Sequence, residues 1–186
     1  PEAFQGHSFA KLIEDPSQPF RNYVFAEHNW HDYEAHERMV RSRDFLYILN
    51  SRPWKPQIGP TDSVGSPSFA DLKARKAKGN LTAIQADIFL TPRPKEELYD
   101  CRSDTEQLLN LASVPTSQND LRRLRKVLEQ WMDVTGDTIP ANLTKDYYLP
   151  EPGYINTYYK GERGEMPGAA RNAAGRWRRR VRRQHR

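Results

Sequence analysis

Four short runs of apolar residues along the chain have the pattern of β-strands. They are rich in β-branched and aromatic side chains, and turn-forming residues bound them. We predict strands over residues 22–26, 38–41, 44–50 and 96–101. Residues 51–65 hold three prolines and two glycines, so we expect a loop there.

The strongest helical pattern covers residues 117–134, where large apolar side chains recur at steps of three and four. They are Leu121, Leu124, Val127, Leu128, Trp131 and Met132. Full burial would contribute about 1.5–3 kcal/mol for each of them, so the helix must pack on another element. The natural partner is a four-stranded antiparallel sheet, which predicts an α+β fold.

Three shorter helices are also predicted. One covers residues 8–13, and one covers residues 81–90. Between them a helix opens over residues 66–71, where Ser68 and Asp71 have the spacing of a capping box, and Gly79 supplies its end.

Composition limits the class of protein. With 186 residues, 37% hydrophobic residues and 14 prolines, we expect a loop-rich chain of one domain or one domain plus a fragment. A membrane helix needs about 20 apolar residues, and the longest apolar stretches here are only a few residues, so we expect no membrane span. The chain starts without Met or a signal-peptide pattern, and we expect that it was cut from a longer protein.

The net charge of +5 comes from one end of the chain. Residues 171–186 contain eight arginines and no acid, whereas residues 1–170 contain 21 basic and 24 acidic side chains. We predict that this Arg-rich tail is disordered. The single cysteine, Cys101, excludes an internal disulfide and a CxxC pair.

A polar cluster of six residues, 27–32, follows the first predicted strand. It contains Glu27, His28, His31 and Asp32. Such a cluster could bind a metal, transfer protons or hold a polar ligand. The alternative is a hydrogen-bonded loop without chemistry, since the spacing is not diagnostic and differs from the HExxH zinc motif. Arg38 and Arg41 could hold an anion or line an exposed strand face.

Several segments together resemble the C-terminal part of the sulfatase family. Glu97-Leu98-Tyr99-Asp100, followed by Asp104, Glu106 and Asn110-Leu111-Ala112, is similar to a specific family signature. Residues 6–13, 25–32 and 37–50 resemble other family segments. Residues 64–72 and the polar cluster resemble heparan N-sulfatases (sulfamidases, N-sulfoglucosamine sulfohydrolases) and their bacterial relatives. The resemblance covers about residues 6–150.

The resemblance implies an alkaline-phosphatase-like enzyme whose C-terminal part is a small four-stranded antiparallel sheet packed by a C-terminal helix. Its chemistry uses a formylglycine, made from Cys or Ser in C/S-x-P-x-R, and a calcium ion. The residues after Cys101 lack the required Pro and Arg. We therefore expect no catalytic residue and no metal site in this chain, and no activity of the chain alone.

The resemblance also implies that the loop after the first strand faces the substrate pocket. His31 and Asp32 are the leading candidates for sugar contact, and Glu27 and His28 come second. Arg38 and Arg41 are expected to orient the loop or to pair with acids.

These observations predict four segments. Residues 1–36 are the end of the catalytic α/β domain, 37–135 the small C-terminal sulfatase domain, 136–170 an extended Tyr/Pro-rich segment, and 171–186 the Arg-rich tail. The predicted function is the C-terminal portion of a sulfatase that hydrolyses sulfate esters or sulfamates of sulfated glycans, with heparan-type N-sulfoglucosamine favoured. The expected partners are that glycan and the missing N-terminal catalytic domain, outside the cytoplasm.

Two alternatives remain open. One is a non-enzymatic module that binds polyanions through the Arg-rich tail, although its acidic body and the scarcity of aromatic residues in the tail argue against nucleic acid as partner. The other is a phosphoesterase of the same superfamily, which only metal ligands outside this chain could distinguish.

Overall fold

The computed structural model describes residues 6–30, 32–55 and 59–141. The strands are β1 (Val24–His28), β2 (Glu37–Arg41), β3 (Phe45–Asn50) and β4 (Glu96–Asp100). The helices are α1 (Ala10–Glu14), α2 (Thr61–Val64), α3 (Pro67–Ala77), α4 (Ala83–Asp87) and α5 (Gln118–Thr135), with a short 3-10 turn at Pro115–Ser117. The strands form one antiparallel sheet in the order β1-β2-β3-β4. The predicted α+β fold is confirmed.

The core lies between the sheet and α5. The strand register aligns one residue of each strand in a row across the sheet: Phe25, Val40, Tyr47 and Leu98. Against this row pack the buried leucines of the predicted stripe, Leu121, Leu124 and Leu128. The helix ends at Gly136, whose φ of 74° lies in the left-handed region that favours glycine.

Local details differ from the sequence predictions at the helix ends. Ser66, not Ser68, caps α3, because its hydroxyl accepts a hydrogen bond from the Phe69 amide at 3.2 Å. The capping box belongs instead to α4, where Thr82 and Gln85 bond each other's backbone. That helix is shorter than the predicted residues 81–90, and the predicted loop 51–65 contains α2.

The sheet crosses the predicted boundary at residue 36. β1 lies in the segment assigned to the end of the catalytic domain, yet it pairs with β2 along five residues. The division into segments stays a prediction, and most of residues 136–170 and the whole Arg-rich tail lie outside the described residues. Among the helices that the structure describes, none is long and apolar enough to cross a membrane.

Candidate functional site

The candidate site is the connection between β1 and β2, where the polar cluster lies. Glu27 and His28 are the last two residues of β1, so their side chains point to opposite faces of the sheet. A carboxylate oxygen of Glu27 lies 3.8 Å from the Arg38 guanidinium, on the α5 side. His28 Nδ1 lies 2.8 Å from Glu37 Oε2 on the other side. Glu27 and His28 therefore lie on opposite faces of the sheet and cannot contact the same group of a ligand.

The pair of His28 and Glu37 spans the strand ends at the entrance to the loop. The hydrogen bond and the negative charge of Glu37 raise the pKa of His28 above its ordinary value of 6.5. Its side chain is 55% exposed, so it can take up a proton from solvent or contact a ligand. At near-neutral pH this imidazole is accordingly a better hydrogen-bond donor than an isolated histidine.

A buried ion pair lies beneath the loop. Arg38 Nε donates to Asp137 at 2.5 Å, and a second guanidinium nitrogen donates to the other carboxylate oxygen at 2.9 Å. The same guanidinium donates to the carbonyls of Glu37 at 2.8 Å and of His28 at 3.4 Å. Arg38 therefore links both ends of the loop to Asp137, which follows the cap of α5. Of the two expectations for this arginine, the structure shows the pairing with an acid, and its effect on the loop stays a prediction.

Two further contacts bind the segment after α5, one from the loop and one from the residues that follow β3. His36 lies 3.0 Å from the Thr138 carbonyl through Nε2, and Arg52 donates to the Pro140 carbonyl at 2.7 Å. Burial lowers the pKa of His36, because the charged imidazolium loses its hydration. Residues 137–140 thus lie along the base of the loop, a contact that the sequence analysis missed. No periodic signal in the sequence marks it.

Asp32 links the loop to the helices on its other side. Its Oδ2 accepts a hydrogen bond from the Thr61 backbone amide at 2.8 Å, at the first residue of α2. His31 lies outside the described residues, so its predicted role stays a prediction. Asn29 Oδ1 is buried and has no hydrogen-bond partner among the described residues. An unpaired buried acceptor costs about 1–3 kcal/mol, so we expect this oxygen to accept a hydrogen bond from a donor outside the described residues.

A second polar cluster lies buried on the sheet face opposite α5. Glu97 is 1% exposed and accepts hydrogen bonds from Asn50 at 2.6 Å, from Arg93 at 3.2 Å and from the Tyr99 hydroxyl. Asp87 also pairs with Arg93 at 3.1 Å. This cluster explains why an acid stands at the start of the Glu97-Leu98-Tyr99-Asp100 signature: it anchors β4 to β3 and to the segment before it. Asn50 ends the segment 37–50 that resembles the family, whereas no motif in the sequence marks Arg93.

The described residues do not fit the calcium and formylglycine that the resemblance implies. Among them, no group of three or more His, Cys, Asp or Glu side chains is placed to hold a metal. The expectation that the chain holds no formylglycine precursor considered only Cys101 and needs correction, because the spacing C/S-x-P-x-R does occur, at Ser17-Gln18-Pro19-Phe20-Arg21. Ser17 is exposed in a turn, and its hydroxyl donates to Asp15 at 2.6 Å. The C/S-x-P-x-R spacing is therefore present, but Ser17 lies in an exposed turn and not in a pocket.

Comparison with known proteins identifies the class. No protein-family model matches the chain. Two ulvan-active sulfatases of Formosa agariphila are similar to it: one is 36% identical over 86% of this chain and 25% of the relative, the other 27% identical over 77% and 27%. Human N-sulphoglucosamine sulphohydrolase is 30% identical over 71% of this chain and 26% of that protein. The chain is a homologue of sulfatases, which confirms the resemblance predicted from its motifs.

The chain spans about a quarter of the length of these curated relatives. Solved structures with a similar chain path include a putative sulfatase from Bacteroides thetaiotaomicron, with 20% identity, a TM-score of 0.44, and coverage of 72% of this chain and 21% of that one. A 2-O glycosaminoglycan sulfatase is also similar in chain path, with the same identity, TM-score and coverage of both chains.

Proposed function

We propose that this chain is the C-terminal portion of a sulfatase that hydrolyses sulfate esters or sulfamates of sulfated glycans, with N-sulfoglucosamine as the favoured sugar. The observation that carries the proposal is the 36% identity to an ulvan-active sulfatase over 86% of the chain. The favoured sugar rests on the likeness to human N-sulphoglucosamine sulphohydrolase. The parent protein would act outside the cytoplasm, and its formylglycine and calcium would belong to a catalytic domain beyond this chain.

In this proposal, residues of the polar cluster bind sugar hydroxyls away from the sulfur atom. A carboxylate accepts hydrogen bonds from hydroxyls, and an imidazole donates or accepts one, so Asp32 and His31 together can satisfy several. One oxygen of Asp32 already holds the Thr61 amide, which fixes the orientation of the carboxylate. His28 is accessible on the sheet face away from α5, and Glu27 is half exposed on the other face. Asp32 and His31 therefore stay the leading pair.

The decisive experiment compares two substrates of the parent protein. We expect His31→Ala or Asp32→Ala to lower kcat/KM for an N-sulfoglucosamine substrate, because a buried hydroxyl loses its partner. The loss of about 1–3 kcal/mol corresponds to about 5- to 150-fold. A small aryl sulfate lacks these hydroxyls, so its hydrolysis should change far less.

The matched control is Asp62→Ala, which removes an exposed acid of α2 close in sequence to the same contact. This variant should leave kcat/KM unchanged for both substrates. Equal losses on both substrates for His31→Ala and Asp32→Ala would show that the loop is structural. Absence of any sulfatase activity in the parent protein, with its formylglycine confirmed by mass spectrometry, would contradict the proposed function itself.

A further inference from the structure

Helix α3 is a basic segment on an acidic body. Residues 66–80 carry four cations, Lys73, Arg75, Lys76 and Lys78, against one acid, Asp71. The other residues up to 170 carry 17 basic and 23 acidic side chains. The positive charge of the segment is therefore local, and it lies on a folded element rather than in the Arg-rich tail.

Two of these cations are held in place on one side of the helix. Lys73 and Lys76 are three residues apart, so they are neighbours on the helix surface. The ammonium of Lys73 lies 4.9 Å from the centre of the Phe69 ring, and that of Lys76 lies 4.4 Å from the centre of the Phe89 ring. The two rings are 5.8 Å apart, so the ammonium groups lie over adjoining aromatic surfaces.

The ammonium groups of Lys73 and Lys76 are also available for an anion. Both residues are exposed, and within the described residues neither forms an ion pair with a carboxylate. Asp71 pairs instead with Arg75, at 2.6 Å. Cations in a last turn stabilise the helix dipole, which accounts for Arg75 and Lys76 but not for Lys73, a full turn before the helix end.

Helix α3 starts beside the candidate site. Asp32 binds the first amide of α2, and α2 contacts α3, which Ser66 caps immediately after Gly65. Lys73 and Lys76 are the seventh and tenth residues of this helix, so they lie about 9 and 14 Å along its axis from the end beside the polar cluster. A polymer with one end at the polar cluster can reach both lysines.

We propose that Lys73 and Lys76 form a binding surface for a sulfated polysaccharide strand, holding sugars beyond the one that is hydrolysed. This surface, the α3 basic face, rests on the proposed function for the position of the reacting sugar. The ammonium groups attract the sulfate groups of the strand as exposed ion pairs. Its contribution therefore falls as salt rises.

The test uses the parent protein and heparin as the probe. We expect Lys73→Gln combined with Lys76→Gln to weaken heparin binding at low salt by about 2- to 30-fold, from two exposed ion pairs. The difference should shrink at high salt. Fully desulfated heparin should bind the parent and the variant equally. Lys73→Arg combined with Lys76→Arg keeps the charge and should retain binding, which excludes a folding defect.

The matched control is Arg122→Gln combined with Lys126→Gln, which removes the same charge from the exposed face of α5. Unchanged heparin affinity in the α3 variant, or an equal loss in the α5 control, would overturn the proposal. For the parent protein with Lys73→Gln and Lys76→Gln, kcat/KM should fall for a sulfated polymer and stay unchanged for a sulfated monosaccharide. An equal fall for both would also overturn it.

The outcomes separate this surface from the proposed function. If the parent binds heparin through α3 but hydrolyses no sulfate, the α3 basic face stands and the sulfatase proposal fails. If the parent is a sulfatase and the Lys73→Gln, Lys76→Gln variant has the same kcat/KM for a sulfated polymer, the proposed function stands and the α3 basic face is wrong.

Discussion

Arg38 and Asp137 form a two-point ion pair across 99 residues of sequence, with hydrogen bonds of 2.5 and 2.9 Å. The Arg38 side chain is fully buried, and that of Asp137 is 6% exposed. The pair joins the second strand to the segment after the last helix, directly beneath the loop that carries the candidate substrate residues. The shape of that loop therefore depends on the end of α5 as well as on the strands that flank it.

Removing one partner of this pair should be costly. Within the described residues, Asp137→Asn leaves the buried Arg38 guanidinium with only the half-exposed Glu27 carboxylate, 3.8 Å away, as a counter-charge. We therefore expect the free energy of unfolding to fall by about 3 kcal/mol. Urea denaturation of the purified protein measures the change. Asp71→Asn, in the exposed pair with Arg75, is the control and should cost less than about 1 kcal/mol. Similar costs for the two variants would show that the buried pair is not special.

The stacked rings of Phe25 and Trp131 should couple the first strand to α5. Their centroids are 5.1 Å apart and their planes differ by 5°. Trp131 is partly buried against the core, so Trp131→Ala should cost about 3 kcal/mol, at the low end for a large aromatic residue. A double-mutant cycle with Phe25→Ala should give a coupling of about 0.5–1.5 kcal/mol. Leu109→Ala, at a residue that is 64% exposed, should change stability by at most about 0.5 kcal/mol.

The pairing of His28 with Glu37 predicts a dependence of stability on pH. Because the pKa of His28 is raised in the folded protein, its stabilising contribution is fully present below the unfolded value of 6.5 and is lost as pH rises through the folded pKa. NMR titration should give a His28 pKa above 6.5, and Glu37→Gln should return it towards that value. A His28 pKa that is unchanged by Glu37→Gln would contradict the pairing.

The 186-residue chain by itself should not hydrolyse sulfate esters or sulfamates. Its described residues hold no cluster of metal ligands, and the C/S-x-P-x-R spacing at Ser17 lies in an exposed turn. Assays with an aryl sulfate and with N-sulfoglucosamine should give no turnover, and mass spectrometry should find Ser17 as unmodified serine. Turnover by the pure chain that Ser17→Ala abolishes would overturn this expectation.

Local patterns in the sequence were enough to predict the sheet and its main helix. The spacing of Leu121, Leu124 and Leu128 defines one apolar face, and that face packs on the sheet as expected. These features depend on neighbours within a few residues, and helix and strand periodicities report such neighbours directly. The sequence predicts the cap of α3 at Ser68 and the structure places it at Ser66, because both serines have the right chemistry and only the backbone geometry selects one.

The sequence by itself determined that this protein is a sulfatase homologue, that it holds a small antiparallel sheet under one long helix, and that a polar cluster follows the first strand. Only the tertiary structure decided what fixes that cluster. The contacts of Arg38 with Asp137 and of Asp32 with Thr61 join residues 99 and 29 positions apart. No periodicity encodes such pairs, because their energy is gained only once the chain has folded and solvent has been excluded from them.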